Sequence, residues 1–143
     1  MLSKSLLLFS IPFILALFFM HAVQGQKSNN VEVVKNIYET LQNSSTASKD
    51  IMALTPSIKW DEVNIINNFN ERYSITFLAI INNEWRDLSF QNLVYHKIKE
   101  NKILVSGTVT GRQPTECEGI LTEFQHLWTL IDGQITSLTE QQI

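Results

Sequence analysis

His126 stands between Phe124 and Trp128 in the stretch ILTEFQHLWTLIDGQITSLTEQ, residues 120–141. A neutral imidazole titrates near neutrality and can both take up and return a proton, as general acid–base chemistry requires. Aromatic residues two positions away on either side would wall it with apolar surface, the usual surround of a single polar group in a small-molecule site. Tyr38 and Tyr95 each add one hydroxyl on a large apolar body and could hold a developing oxyanion. Trp60, Tyr73, Trp85, Phe124 and Trp128 offer ring surface for a planar hydrophobic ligand. The same residues also suit an ordinary core, in which His126 is satisfied by a backbone carbonyl or by Thr139 facing it across the hairpin.

Other chemistries lack their residues. Asp61, Glu116 and Glu118 are the carboxylates nearest to segments that could line a pocket mouth, where acids are mostly solvated. There is no H-E-x-x-H, no paired cysteine and no phosphate-binding glycine loop. The sequence thus implies no metal and no cofactor. The formal charge of −3 argues against nucleic-acid and anionic-membrane partners, since both require a basic surface.

The elements that must position these side chains are legible in the periodicity. Val31, Val34, Ile37 or Tyr38, and Leu41 recur at helical spacing, which predicts a first helix with Asn30 as its cap and Glu32 in the first turn. A second helix is expected from about Lys49 to Leu54, closed from beyond by Pro56. SIKWDEVNI looks extended; in Phe69 to Asn83, Tyr73, Phe77 and Ile80 fit a helix while ITFLAII is β-branched enough for a strand, and the segment is assigned to a third helix capped by Asn70. From Trp85 onward the chain alternates. LSFQNLVYHKI and ILVSGTVTG are separated by a polar turn in which Asn101 can take positive φ. Asp132-Gly133 is the strongest hairpin signal, because both central residues of a type I′ turn need positive φ.

With a two-residue turn Leu130 pairs with Ile135 and Trp128 with Ser137. Phe124, His126, Trp128, Leu130 and Ile135 then share one face, and Leu127, Ile131 and Leu138 the other. A bulge near Ser137 would return Leu138 to the first face. Two apolar faces imply helices on one side and a second copy of the chain on the other, hence a homodimer.

Residues 1–25 read differently from the rest. A basic start at Lys4, the apolar run LLLFSIPFILALFFM, and small residues at Val23 and Gly25 form a secretory signal peptide. Residues 26–143 remain as one domain that is secreted or periplasmic. Cys117 is the chain's single cysteine, so no intrachain disulfide can staple the fold.

Helices first and antiparallel strands after make an α+β domain. The strand ILVSGTVTGR, from Ile103 to Arg112, and an ending with Phe124, His126, Trp128, Asp132, Gly133, Ile135 and Leu138 resemble the SnoaL-like branch of the NTF2-like superfamily. The resemblance implies a cystatin-like cone, about three N-terminal helices packed on a strongly curved antiparallel sheet, with a pocket at its open end. It also implies relatives among polyketide cyclases and ketosteroid isomerases. The chain departs from the isomerase pattern, with Ser57-Ile58-Lys59-Trp60 where many relatives carry an acidic pair. Three functions are then expected: binding of a small hydrophobic ligand in an aromatic-lined pocket; a cofactor-free lyase, isomerase or cyclase with His126 as acid or base; or a purely structural partner domain whose cone is filled.

Overall fold

The computed structural model describes residues 29–43, 47–67 and 75–142. Helix α1 (Asn30–Asn43) and helix α2 (Ala47–Leu54) are followed by a 3-10 turn (Trp60–Glu62), strand β1 (Asn64–Asn67) and a short helix α3 (Phe77–Ile81). Four strands follow: β2 (Arg86–Lys99), β3 (Lys102–Arg112), β4 (Ile120–Ile131) and β5 (Gln134–Gln142). The signal-peptide assignment and the third-helix start, with Phe69, Asn70 and Tyr73, fall outside the described residues.

Helix α1 buries Val34, Ile37, Tyr38 and Leu41, the expected stripe. Its cap differs from expectation. The Asn29 side chain accepts from the Val31 N–H at 3.2 Å, whereas the Asn30 amide reaches across to donate to the Glu100 carbonyl. Helix α3 is shorter than the periodicity implies. The β-branched Thr76 is extended, and its hydroxyl accepts from the Ala79 N–H, so the helix starts at Phe77. The stretch expected to be extended instead turns at Trp60–Glu62 before β1 begins.

The sheet order is β1-β5-β4-β3-β2. The run from β5 to β2 is antiparallel, as the hairpin signals predict, and β1 adds a short parallel edge beside β5. Asp132 and Gly133 take φ of 51° and 75°, the left-handed pair a type I′ turn requires. Positive φ elsewhere in the strands falls on Asp87 and Asn92, at two irregularities in β2, rather than on Asn101. Gly107 allows the second of these. A Cβ there would lie 2.8 Å from the Gln91 carbonyl oxygen, which crowds inward beside Asn92.

One face of the sheet carries the core. Ile103, Val105 and Val109 on β3 alternate with partly exposed neighbours, as do Phe124, His126, Trp128 and Leu130 on β4, and the helices cover this face. Leu130 pairs with Ile135 as expected, but Thr136 bulges, so Thr129 meets Ser137 and Trp128 meets Leu138. Leu138 is therefore buried in the core and does not join Leu127 and Ile131 on the outer face.

Candidate functional site

Tyr38 comes from the buried stripe of α1, and His126 and Trp128 from alternate positions of β4, so helix and sheet bring them together. The Tyr38 hydroxyl lies 2.7 Å from His126 Nδ1 and accepts from Trp128 Nε1 at 2.9 Å. Rings close around this contact. Phe124 stacks on His126 at 4.1 Å, and Phe77 meets His126 edge-on at 5.1 Å. Tyr38, His126, Trp128 and Phe124 are all buried.

The bulge at Thr136 brings in a group not expected from the sequence. It sets Glu140, rather than Thr139, opposite His126; Thr139 pairs with Leu127. Glu140 is 2 % exposed, a rare position for a carboxyl group. Its Oε1 accepts from the Phe77 backbone N–H at 2.9 Å and lies 3.6 Å from His126 Nε2. Its Oε2 is buried with no hydrogen-bonding partner.

Burial sets the charges here. Removal from water disfavours every ionised form, so the Glu140 carboxyl is pushed up to about 7 and the His126 imidazole down to about 3. The hydrogen bond from Phe77 opposes the first shift without cancelling it. Tyr38 is raised well above its ordinary value by the same desolvation and stays a neutral phenol. The cluster is therefore uncharged at mildly acidic pH, and Glu140 is its one group that titrates near neutrality.

The other expected site residues scatter. Tyr95 is half-buried, with its ring 6.0 Å from that of Tyr38 and the Lys35 ammonium above it, and burial together with Glu39 and Glu32 pushes its phenol up to about 12. Trp60 stacks on Phe77 at 5.8 Å, and its indole nitrogen is buried with no partner. Trp85 is buried against Gly111 on β3 and makes no ring contact with Tyr38 or His126. Tyr73 lies outside the described residues. Asp61, Glu116 and Glu118 are exposed. Among the described residues no group of His, Cys, Asp and Glu could hold a metal ion.

Four surface recesses lined by described residues have volumes of about 320 to 670 Å³. The largest runs between α1, α2 and the β4–β5 turn, and none of the four includes Tyr38, His126 or Glu140. The polar cluster is thus distinct from these surface grooves.

No protein-family model and no curated protein sequence matches the chain. Solved structures do. An NTF2-like protein from Burkholderia thailandensis superposes with a TM-score of 0.57 at 16% identity, covering 80% of this chain and 90% of that one. A candidate polyketide cyclase from Xanthomonas campestris pv. campestris gives 0.56 at 18% identity, covering 78% and 88%. A phenazine biosynthesis-related protein from Pseudomonas aeruginosa gives 0.54 at 13% identity, covering 82% and 80%. At these identities the likeness concerns the backbone, and it covers most of each chain: this protein has the NTF2-like fold.

Proposed function

We propose that the chain is a SnoaL-like member of the NTF2-like superfamily that binds a small hydrophobic ligand against the rings around Tyr38 and His126, with Glu140 as the polar anchor. The observation that carries this reading is Glu140 Oε2, a buried polar atom without a partner inside an aromatic cluster. Such an atom costs free energy unless something compensates it, and a ligand's polar group would do so. Apolar walls with one convergent polar point are the ordinary composition of a small-molecule site. The test is NMR titration with a small aromatic ketone, acetophenone. Shifts concentrated at His126, Glu140 and Phe77 are expected; shifts confined to the surface groove beside α1 and α2 would overturn the reading.

A second reading, proton transfer on a small carbonyl compound, is favoured by one observation. A carboxyl group pushed to about 7 beside an imidazole pushed to about 3 is matched to carry a proton at neutral pH. The proton carrier is then Glu140, and His126 serves as a neutral donor. Deuterium incorporation at the methyl group of acetophenone in heavy water should be catalysed by the wild type and lost in Glu140→Gln. Equal rates in both would remove the reading.

We propose further that residues 1–25 direct export, so that this chemistry takes place in a secreted or periplasmic setting, without a cofactor.

A further inference from the structure

We infer that Trp128 and Tyr38 are positioning residues that hold His126 as its Nε2–H tautomer, and that the resulting one-way chain of donors makes Glu140 Oε2 the docking point for an uncharged acceptor oxygen of the ligand. The inference rests on the ligand-binding reading of this site. It begins with the indole, which can donate but never accept. Trp128 Nε1 lies 2.9 Å from the Tyr38 oxygen, so that oxygen accepts. The phenol's own hydrogen has one near partner, His126 Nδ1 at 2.7 Å. The reverse arrangement, with Nδ1–H donating, would leave the phenol hydrogen stranded in a fully buried position.

With Nδ1 accepting, a neutral imidazole carries its proton on Nε2, which faces Glu140 Oε1 at 3.6 Å. Oε1 accepts from the Phe77 N–H at 2.9 Å, and His126 Nε2 is its other near nitrogen at 3.6 Å, beyond hydrogen-bond length. An oxygen so placed is the carbonyl-like atom of a neutral carboxyl, and the proton resides on Oε2. That oxygen is the buried one without a partner. A buried hydroxyl hydrogen is relieved by an acceptor such as a ketone oxygen, which an ammonium group cannot supply. Burial raises the Glu140 pKa, which supports the neutral form in the acid range up to about 7.

Two measurements on the full chain test this. The imidazole nitrogen shifts of His126 in the unliganded protein should show Nε2 protonated and Nδ1 accepting a hydrogen bond. Tyr38→Phe should move Nδ1 toward the position of a nitrogen that accepts none, a signature that mere loss of packing would not produce. A proton on Nδ1 in the wild type, or on both nitrogens at neutral pH, overturns the relay.

The docking point is tested with three probes of one skeleton: acetophenone, alpha-methylbenzylamine and cumene. The ketone is expected to bind about tenfold tighter than the other two, the worth of one hydrogen bond. Glu140→Gln should keep that preference, because a carboxamide presents an N–H where Oε2–H stood, and Glu140→Leu should abolish it. Preference for the amine, or loss of the ketone preference in Glu140→Gln, would show Glu140 acting as an acceptor and overturn the inference. Equal binding of all three leaves the ligand-binding reading standing and removes the inference. If none binds, the ligand-binding reading itself fails and the docking point with it, while the nitrogen shifts still decide the tautomer.

Discussion

At Glu140 and His126 the same burial moves two groups in opposite directions, and stability must follow both. Glu140 has a folded pKa of about 7 against an ordinary 4.5, so the folded state holds a proton that the unfolded chain has released. Its contribution is complete below about 4.5 and is lost as pH rises through 7, on the order of 3 kcal/mol in all. His126 at about 3 against 6.5 does the reverse, destabilising the fold as pH falls below 6.5 toward 3. The two oppose each other between 4.5 and 6.5. Urea unfolding of the wild type should therefore show stability rising from pH 3 to about 4.5, a plateau to 6.5, and a decline toward 7. Glu140→Gln should extend the rise to 6.5, and His126→Asn should replace the plateau by a steady fall. A wild type whose stability is flat from pH 3 to 7, with both variants alike, would show that neither group is buried in the ionisation state assigned.

The elements are held by close approaches at the glycines of β3. A methyl group on Gly107 would stand 2.8 Å from a backbone carbonyl and 3.0 Å from Leu93, and backbone cannot retreat cheaply. At Gly111 the nearest atoms are side-chain tips of Leu88, Ile75 and Trp85 at 3.1 to 3.2 Å, which can shift by a few tenths of an ångström. Gly107→Ala should thus cost about 1–3 kcal/mol, with Gly111→Ala costing less. Thermal melts of the two variants decide it, and a smaller loss at Gly107 would contradict the packing at Asn92. The bulge at Thr136 is the other element-scale device. By adding one residue to β5 it turns Leu138 and Glu140 together toward the core, since residues two apart share a face.

For the whole molecule, the outer face of the sheet is the apolar feature that the described residues leave uncovered. Val94, Ile98, Leu121 and Ile131 are exposed there, with Leu104 and Leu127 paired between them. We predict that a second copy covers this face, giving a homodimer, because scattered single apolar residues are ordinary but a face of them invites association. Sedimentation should show a dimer that Leu127→Lys dissociates. A monomeric wild type would reject the prediction. Export is tested separately by intact mass: the mature chain should begin near Gln26, and a protein retaining Met1 in the membrane fraction would reject the signal-peptide assignment.

The sequence by itself determined the elements whose cause is local. The α1 stripe through Tyr38, the alternation that puts Phe124, His126 and Trp128 on one face, and the Asp132-Gly133 turn all follow from periodicity and positive φ, which neighbouring residues set. The α+β class and the C-terminal resemblance rest on the same signals. What the tertiary structure decided was the partner of His126. A regular hairpin gives Thr139, and a bulge gives Glu140; the local pattern permits both, and the choice goes with the burial of Leu138 in the core. The parallel edge strand β1 was likewise decided by a long-range contact, its pairing with β5, whereas the cap at Asn29 and the start of α3 at Thr76 rest on local hydrogen bonds that periodicity alone does not select. A single inserted residue changes which side chains meet without changing the periodicity of either strand segment, and the polar centre of the site depends on that one residue.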